Sequence, residues 1–478
     1  MNYSIVFTIV GYALKFEGLF LLLPMGISII YKENNFYWYL LVAILAFLLG
    51  SLLTLNKISN KKMYAKEGLL SVALSWIVMS IFGAVPFVLT GDIPNYIDAL
   101  FETVSGFTTT GASILSEVES LNHSALFWRS FTHWIGGMGV IVFIMAILPL
   151  TGGSSMNLMK AESPGPSVDK LVPRVKDTAR VLYLIYIFLT LAEIIILLCL
   201  KMPVFDAVTT TVGTVGTGGF GIKNDSLAGY SSAIQITVGI FMLLSGVNFS
   251  AYFLIITRKF KAAFKMEEVR WYLILIFTAT LIIVINTRSY YDNLFDNIKD
   301  AFFQVSSITS STGFSTANFD VWPSLSKTVL VTCMFIGACA GSTGGGIKVS
   351  RFLIFAKNIK KELSLMAHQR EIKKIRIDGH LISHDTVRST NVYLTIYMFI
   401  YIISLLIISA DNFSFTTNFT AIVATMNNIG PGLDAVGPAC NFGSFSILSK
   451  LVLIFDMLAG RLELFPIMIM FHHSVWKK

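Results

Sequence analysis

Apolar stretches of about twenty residues, each long enough to cross a bilayer as a helix, recur along most of this chain. Runs near 4–31, 36–56, 67–90, 125–149, 180–201, 231–257, 270–287, 326–347, 391–410 and 446–472 give about ten such spans. Shorter half-apolar pieces lie between some of them: Asp98–Phe107, Asp206–Val215, Asp300–Thr309 and Thr420–Met426. These pieces hold a few helical turns and are too short to cross; each opens on an Asp or Thr, the residue types of an N-cap. Each then meets a polar break: Thr108-Thr109-Thr110-Gly111, Gly216-Thr217-Gly218-Gly219, Ser310-Ser311-Thr312-Gly313 and Asn427-Asn428-Ile429-Gly430. A long apolar run follows every time. Backbone facing lipid must be hydrogen-bonded internally, so such segments at membrane depth line water or an ion path.

The repeating unit is span, half-helix, loop, span. Its loop glycines Gly111, Gly218, Gly313 and Gly430 are separated by 107, 95 and 117 residues, the period of an internal repeat. The pattern predicts an all-α polytopic membrane protein with four pseudo-symmetric helix–pore-loop–helix repeats around one pore. Residues 1–60 stand outside the repeat as an N-terminal transmembrane hairpin. The repeats take 61–178, 179–266, 267–388 and 389–478, the third carrying a glycine-rich loop and the one long polar stretch, 350–388. The segment IKKELSLMAHQREIKKIRI reads as an amphipathic cytoplasmic helix or a partner-docking surface.

Composition supports the membrane reading. Of 478 residues, 54% are hydrophobic and 13% charged, against about a quarter charged in soluble domains, and mean hydropathy is +0.70. The net charge of +8 is spread over short loops instead of one face, which argues against nucleic acid as a partner. Lys57, Lys61, Lys62 and Lys66 share one loop; Lys160, Lys170, Arg174, Lys176 and Arg180 share the next loop but one. Arg258, Lys259, Lys261, Lys265 and Arg270, then Lys348–Arg388, then Lys477 and Lys478 continue the alternation, while Lys32, Lys223, Arg288 and Lys299 are sparse between them. The positive-inside rule therefore puts both termini in the cytoplasm and all four loops outside. The four cysteines show no metal-ligand or disulfide spacing, and the first apolar run, with Lys15, Glu17 and Pro24 and no small-residue cleavage site, reads as a retained helix.

A half-helix that enters from outside and stops at mid-membrane aims its carbonyl end, the negative pole of its dipole, at the centre. Glycine at the turn permits backbone angles that other residues disfavour, and Thr and Ser hydroxyls add oxygen ligands or tie the loop to its half-helix. Four such loops around one axis replace the hydration shell of a monovalent cation. None of the four contains a carboxylate, which argues against a divalent site. Taken singly, each is an ordinary Ser/Thr/Gly turn; the fourfold recurrence on one side is what points to a pore.

Beneath these loops, Gly341, Ser342, Thr343, Gly344, Gly345 and Gly346, followed by Lys348, interrupt a span with too many glycines for a regular helix, at about 1 kcal/mol each. An unwound segment there faces the water path and is a candidate gate, against the alternative of close small-residue helix packing. Arg461 beside Gly460 faces the pore below the loops, where it limits cation residence and braces the glycine loop, or pairs with Glu463 or a neighbouring helix. Glu102 and Asp434 are candidate charges at the mouth. His133, His472 and His473 lack a third ligand at compatible spacing, so capping roles are favoured for them, and His123 falls in an exposed loop.

These loops, with Trp134-Ile135-Gly136-Gly137-Met138-Gly139-Val140 and Gly341-Ser342-Thr343-Gly344-Gly345-Gly346-Ile347-Lys348, resemble the Trk/Ktr/HKT superfamily of potassium transporters over essentially the whole chain. Asn427-Asn428-Ile429-Gly430-Pro431-Gly432-Leu433 and the extra hairpin are similar to its TrkH branch. The resemblance implies K⁺ as the transported ion, a bacterial inner-membrane location, a homodimer and a cytosolic nucleotide-binding regulatory ring (TrkA-like). It implies filter glycines at Gly111, Gly218, Gly313 and Gly430, with neighbouring carbonyl donors Thr109, Thr110, Gly216, Thr217, Ser311, Thr312, Asn428 and Ile429. Gly213 and Gly216 loosen the second half-helix, and Asn428 with Pro431 makes the fourth loop unlike the others. A Na⁺-preferring relative is disfavoured because all four glycines are present. A transporter with inverted repeats is disfavoured because all four loops lie on one side. An enzyme is disfavoured because titratable residues are scattered, and GSTGGGIK is no Walker loop, so nucleotide control belongs to a partner and no organic cofactor is expected on this chain.

Overall fold

The computed structural model describes residues 1–55, 63–139, 175–368 and 373–473. The basic loops at Lys57–Lys62 and Lys160–Arg174, the end of the 125–149 run, and Lys477 and Lys478 lie outside these residues. Among the described residues six helices are long and apolar enough to cross a membrane: Tyr3–Ile30, Phe36–Thr54, Ala65–Thr90, Asp177–Cys199, Glu267–Asn286 and His384–Asp411. Leu48, Leu184, Phe188, Phe277, Ile285, Phe399 and Leu406 on these helices are each more than half exposed. Inside, Thr108, Thr109, Ser310, Thr312, Asn427 and Asn428 have no exposure at all. Polar groups at the centre and apolar groups outside is the arrangement a lipid solvent selects.

The N-terminal hairpin pairs Tyr3–Ile30 with Phe36–Thr54 through Gly11, Gly18 and Gly50. A Cβ added at Gly11 would lie 2.7 Å from Gly50 O, and one at Gly50 would lie 2.5 Å from Gly11 O. Without those side chains the backbones touch, which is how helices associate where lipid offers no hydrophobic drive.

The unit of long helix, half-helix, loop and second helix then recurs four times among the described residues. The half-helices are Tyr96–Phe107, Val204–Val215, Leu294–Thr309 and Phe415–Met426. Their C-terminal ends fall where the polar breaks predict. Their starts lie earlier than the predicted Asp and Thr caps, because Asn95, Asn293 and Ser414 cap the first turn by accepting from backbone amides, and Pro203 precedes the second. The displaced acids find other partners: Asp98 pairs with Lys450 at 2.6 Å and Asp206 accepts from the Tyr230 hydroxyl at 2.7 Å.

The second helices depart further from expectation. His123–Met138, Ser232–Ser245, Ser324–Ile336 and Ile447–Arg461 stop after 13 to 16 residues instead of running through as full spans. The second bends by 93° before Phe249–Ile256; the third gives way to an irregular loop as far as Lys348; the fourth resumes as Phe465–Met470. Close approach to the half-helix ends is the physical reason for the glycines beside two of these breaks. A Cβ at Gly136 would lie 1.8 Å from Phe107 O, and one at Gly460 would lie 2.1 Å from Met426 O. The polar helix Val349–Ala367 follows the irregular loop, then a two-residue β-hairpin pairing Arg376–Ile377 with His380–Leu381.

Gly50→Ala should destabilise the protein by about 1–3 kcal/mol through overpacking at the hairpin crossing. Gly26→Ala, which meets open space, should not. Melting temperature in detergent distinguishes the two.

Candidate ion pathway

All four half-helices end in the same hydrogen-bonded turn. Thr109 N–H donates to Gly106 O at 3.1 Å and Thr110 N–H to Ser105 O at 2.8 Å. The same pair of bonds recurs at Thr217 and Gly218, at Ser311 and Thr312, and at Asn428 and Ile429. This left-handed C-cap satisfies two of the carbonyls that a helix end leaves without partners. The residue at its left-handed position is Thr109, Thr217, Ser311 or Asn428, with φ between 52° and 59°. Glycine is the usual occupant; a non-glycine residue there costs on the order of 1–3 kcal/mol and persists only where the surroundings over-determine it.

Two residues on, the chain turns at Gly111, Gly219, Gly313 and Gly430, with φ of 79°, 76°, 92° and 99°. The second loop therefore differs by one residue from expectation: Gly219, not Gly218, corresponds to Gly111, Gly313 and Gly430. Gly218 stands with Thr110, Thr312 and Ile429, and Gly216 is the C-cap matching Thr108, Ser310 and Asn427. Gly218 is a glycine for another reason, since a Cβ there would lie 2.0 Å from Cγ of His133.

The four turns close on one another. A Cβ added at Gly111 would lie 2.0 Å from Gly218 O; at Gly219, 2.0 Å from Thr312 O; at Gly313, 2.2 Å from Ile429 O; at Gly430, 2.8 Å from Thr110 O. Each loop thus leans on the main-chain carbonyl of the next, and the fourth leans on the first. The same four glycines line a single cavity of about 130 Å³. The hydroxyls serve as ties: Thr108 Oγ1 donates to Val104 O at 2.7 Å and lies 2.8 Å from Thr110 Oγ1, and Ser310 Oγ lies 2.7 Å from Thr312 Oγ1. Asn428 Nδ2 donates to Thr110 Oγ1 at 2.9 Å, joining loop four to loop one.

Side chains from the first repeat brace the ring. His133 Nδ1 meets Gly106 O at 2.8 Å while its Nε2 accepts from Phe220 N–H at 3.2 Å, so one neutral imidazole joins the first half-helix to the second loop. Glu102 is not a free charge at the mouth. Its buried carboxylate pairs with Arg129 at 2.7 Å and accepts from Ile114 N–H, and Arg129 reaches Gly221 O in the second loop. Asp434 is exposed and serves the start of the fourth half-helix; hydrogen bonds from Ser414 and Thr417 hold its carboxyl below the ordinary carboxylate range. His123 opens a helix, stacked on Tyr31 and bonded to Glu33, instead of lying in a loop.

The glycine-rich loop runs beneath this ring. A Cβ at Gly344 would lie 2.6 Å from Ser310 O and one at Gly345 would lie 2.4 Å from Asn427 O, so the loop abuts the carbonyl ends of the third and fourth half-helices. Gly345 N–H donates to Ser311 Oγ at 2.5 Å, Thr343 Oγ1 to Ser245 O at 3.2 Å, and Lys348 Nζ to Gly344 O. Gly341 O accepts from Phe249 N–H at 3.0 Å, and Ser342 Oγ donates to Cys339 O at 2.6 Å. Gly341 and Gly346 have φ of 66° and 84°, and the backbone of Lys348 is also left-handed.

Arg461 ties the levels together. Nη1 donates to Thr343 O at 2.8 Å and Thr109 Oγ1 at 3.1 Å; Nη2 donates to Gly136 O at 2.5 Å and Gly137 O at 2.9 Å. Glu463 is not its partner, since that carboxylate pairs with Arg351 at 2.5 Å. Sequence reasoning missed Arg129 and the structural role of His133. Their four-residue spacing on one helix face, and the extra glycine in the Gly218-Gly219 doublet, were the available signals.

Arg129→Met should cost about 3–5 kcal/mol, because it strands the buried Glu102 charge. Adding Glu102→Gln should recover much of the loss in detergent melting temperature; equal destabilisation of single and double variants would refute the pairing.

The description "Cation transport protein" belongs to the TrkH family model, which matches residues 39–478. The chain is 36% identical to the Trk system potassium uptake protein TrkH of Salmonella typhimurium, with 100% of both chains covered. It is 32% identical to the Trk system potassium uptake protein TrkG of Escherichia coli K12, covering 98% of this chain and 97% of that one. It superposes on the crystal structure of the potassium transporter TrkH from Vibrio parahaemolyticus with a TM-score of 0.90 at 29% identity, 100% of each chain being covered. With the family model matching most of its length and relatives above 30% identity covering all of it, this chain belongs to the TrkH family of cation transport proteins.

Proposed function

We propose that this protein takes up potassium across a bacterial inner membrane, with both termini in the cytoplasm. The four loops act as a filter of main-chain oxygens and the glycine-rich loop beneath them acts as a gate. The observation that carries this reading is the closed ring in which Gly111, Gly219, Gly313 and Gly430 each rest on a carbonyl of the neighbouring loop. Carbonyls held by such contacts replace an ion's hydration shell without rearranging. The similar proteins of Salmonella typhimurium and Escherichia coli are named as potassium uptake proteins.

In this reading the oxygen donors come from Thr109, Thr110, Gly216, Thr217, Gly218, Ser311, Thr312, Asn428 and Ile429, with the four turn glycines allowing the approach. Membrane potential drives the ion inward at about 2.3 kcal/mol per charge per 100 mV. The loop Gly341–Gly346 blocks the path against the half-helix ends. Arg461 holds it there and sets a positive charge below the filter. The four repeats divide the chain at about residues 61, 179, 267 and 389. Two copies of the chain form a homodimer, and the polar helix Val349–Ala367 with its hairpin presents the surface for a cytosolic nucleotide-binding regulatory ring.

Expression in a bacterium lacking potassium uptake should restore growth on low potassium, with Rb⁺ flux well above Na⁺ flux. Gly219→Ser or Gly313→Ser should abolish rescue or relax selectivity; normal selectivity in both overturns the filter assignment. Arg461→Ala should raise basal Rb⁺ flux at equal expression, and unchanged or lower flux would count against its place in the gate.

A further inference from the structure

Glu268 sits where three segments meet. It lies in the first turn of Glu267–Asn286 and is only 6% exposed. Its Oε1 accepts from Ala340 N–H at 2.6 Å and from Ser350 N–H at 3.1 Å, and its Oε2 accepts from Asn248 Nδ2 at 3.4 Å. Ala340 directly precedes the glycine run, Ser350 stands just after it at the start of the polar helix, and Asn248 lies in the 93° break of the second repeat. One carboxylate therefore pins both ends of the glycine-rich loop to a helix outside it. Hydrogen bonds from amides to a carboxylate are roughly twice as strong as neutral ones, and the start of the polar helix favours a negative charge.

The neighbouring residue grips the same helix elsewhere. Glu267 pairs with Lys357 and accepts from Asp378 N–H at 3.1 Å, while its own N–H donates to Asp378 Oδ1 at 2.6 Å. Asp378 stands in the turn of the β-hairpin. The polar helix is thus clamped twice, at Ser350 by Glu268 and two turns on at Lys357 by Glu267; the first clamp alone touches the ends of the loop.

We propose that Glu268 is the latch that positions the glycine-rich loop across the ion path. Released from it, the loop ends lose their common anchor and the closed arrangement loses stability relative to an open one. The inference rests on the reading of that loop as a gate, and the test separates the two.

Rb⁺ flux is measured into proteoliposomes holding the purified full-length protein with no partner added. Glu268→Gln keeps the shape and removes the charge; it should raise flux about tenfold, the effect of exchanging charge-assisted for neutral hydrogen bonds. The Rb⁺/Na⁺ flux ratio should not change, since the filter loops are untouched. Asn248→Ala, which removes one donor, should raise flux by a smaller factor and stands in if Glu268→Gln fails to fold by size exclusion and thermal melting. Glu267→Gln loosens the polar helix without touching the loop and should stay within about twofold of wild type. Deleting Gly344 and Gly345 tests the gate itself. Raised flux in the deletion with wild-type flux in Glu268→Gln, or an equal rise in Glu267→Gln, overturns the latch and leaves the gate standing. No rise in the deletion overturns the gate, and the latch with it.

Discussion

A helix that stops inside a membrane leaves its last carbonyls without amide partners in a solvent that supplies none. This chain stops four half-helices there and treats each end alike, with two backbone bonds folded back from a left-handed turn. The geometry of the ring follows from that constraint. The turn reverses the chain at a fixed distance from each helix end, and the glycine two residues on lets the chain rest on the adjoining loop's carbonyl. Remove any one glycine and a Cβ must occupy space already held by an oxygen or its neighbours. The four ends are therefore satisfied jointly, which is why Thr109 and Thr217 can be held at backbone angles unfavourable to a β-branched residue.

Around the ring, the same economy of contact is enforced by polar side chains. His133, the Arg129–Glu102 pair and the Asn428 Nδ2 group each join one repeat to another, bonding to backbone or to a buried side chain. Such a network is costly when incomplete and rigid when complete. The proposed filter needs that rigidity, because loops free to contract would fit ions of different radius alike.

Much of the fold was legible because lipid makes strong demands on sequence. The lengths of the first span of each repeat and the C-terminal ends of the half-helices at Phe107, Val215, Thr309 and Met426 could be read from patterns with a physical cause. The ends of the second helices were less legible: the glycines at 341–346 marked the break in the third, but runs such as 231–257 and 446–472 satisfy the length rule whether or not they stay helical. The one-residue shift to Gly219 was hidden likewise, because two adjacent glycines are equivalent in sequence and distinct only once His133 occupies the space beside one of them. The starts of the half-helices were misplaced because Asn95, Asn293 and Ser414 are equally good caps lying farther upstream. Arg461 was expected to brace the glycine loop, and it bonds to Thr343 O there, but its contacts with Thr109, Gly136 and Gly137 were not foreseen. Carbonyls carry no sequence signature, whereas Glu463 two positions away did.

The repeats agree at the ring and diverge beneath it, and the divergence is itself informative. At the level of the turns, the same backbone bonds occur four times. Below, the second repeat kinks sharply at Val247, the third opens into an irregular strand of glycines, and the fourth breaks at Arg461. In the proposed reading the symmetric layer has one task, to surround an ion evenly, and every repeat contributes alike. Obstruction imposes no such symmetry, since a single segment suffices to fill a narrow passage. In the proposed reading the third repeat supplies that segment; the breaks in the second and fourth anchor its irregular loop, through Ser245 and Gly246 on one side and Arg461 on the other. On the proposed assignment, selection and obstruction belong to different layers that meet at a single hydrogen bond, from Gly345 N–H to Ser311 Oγ.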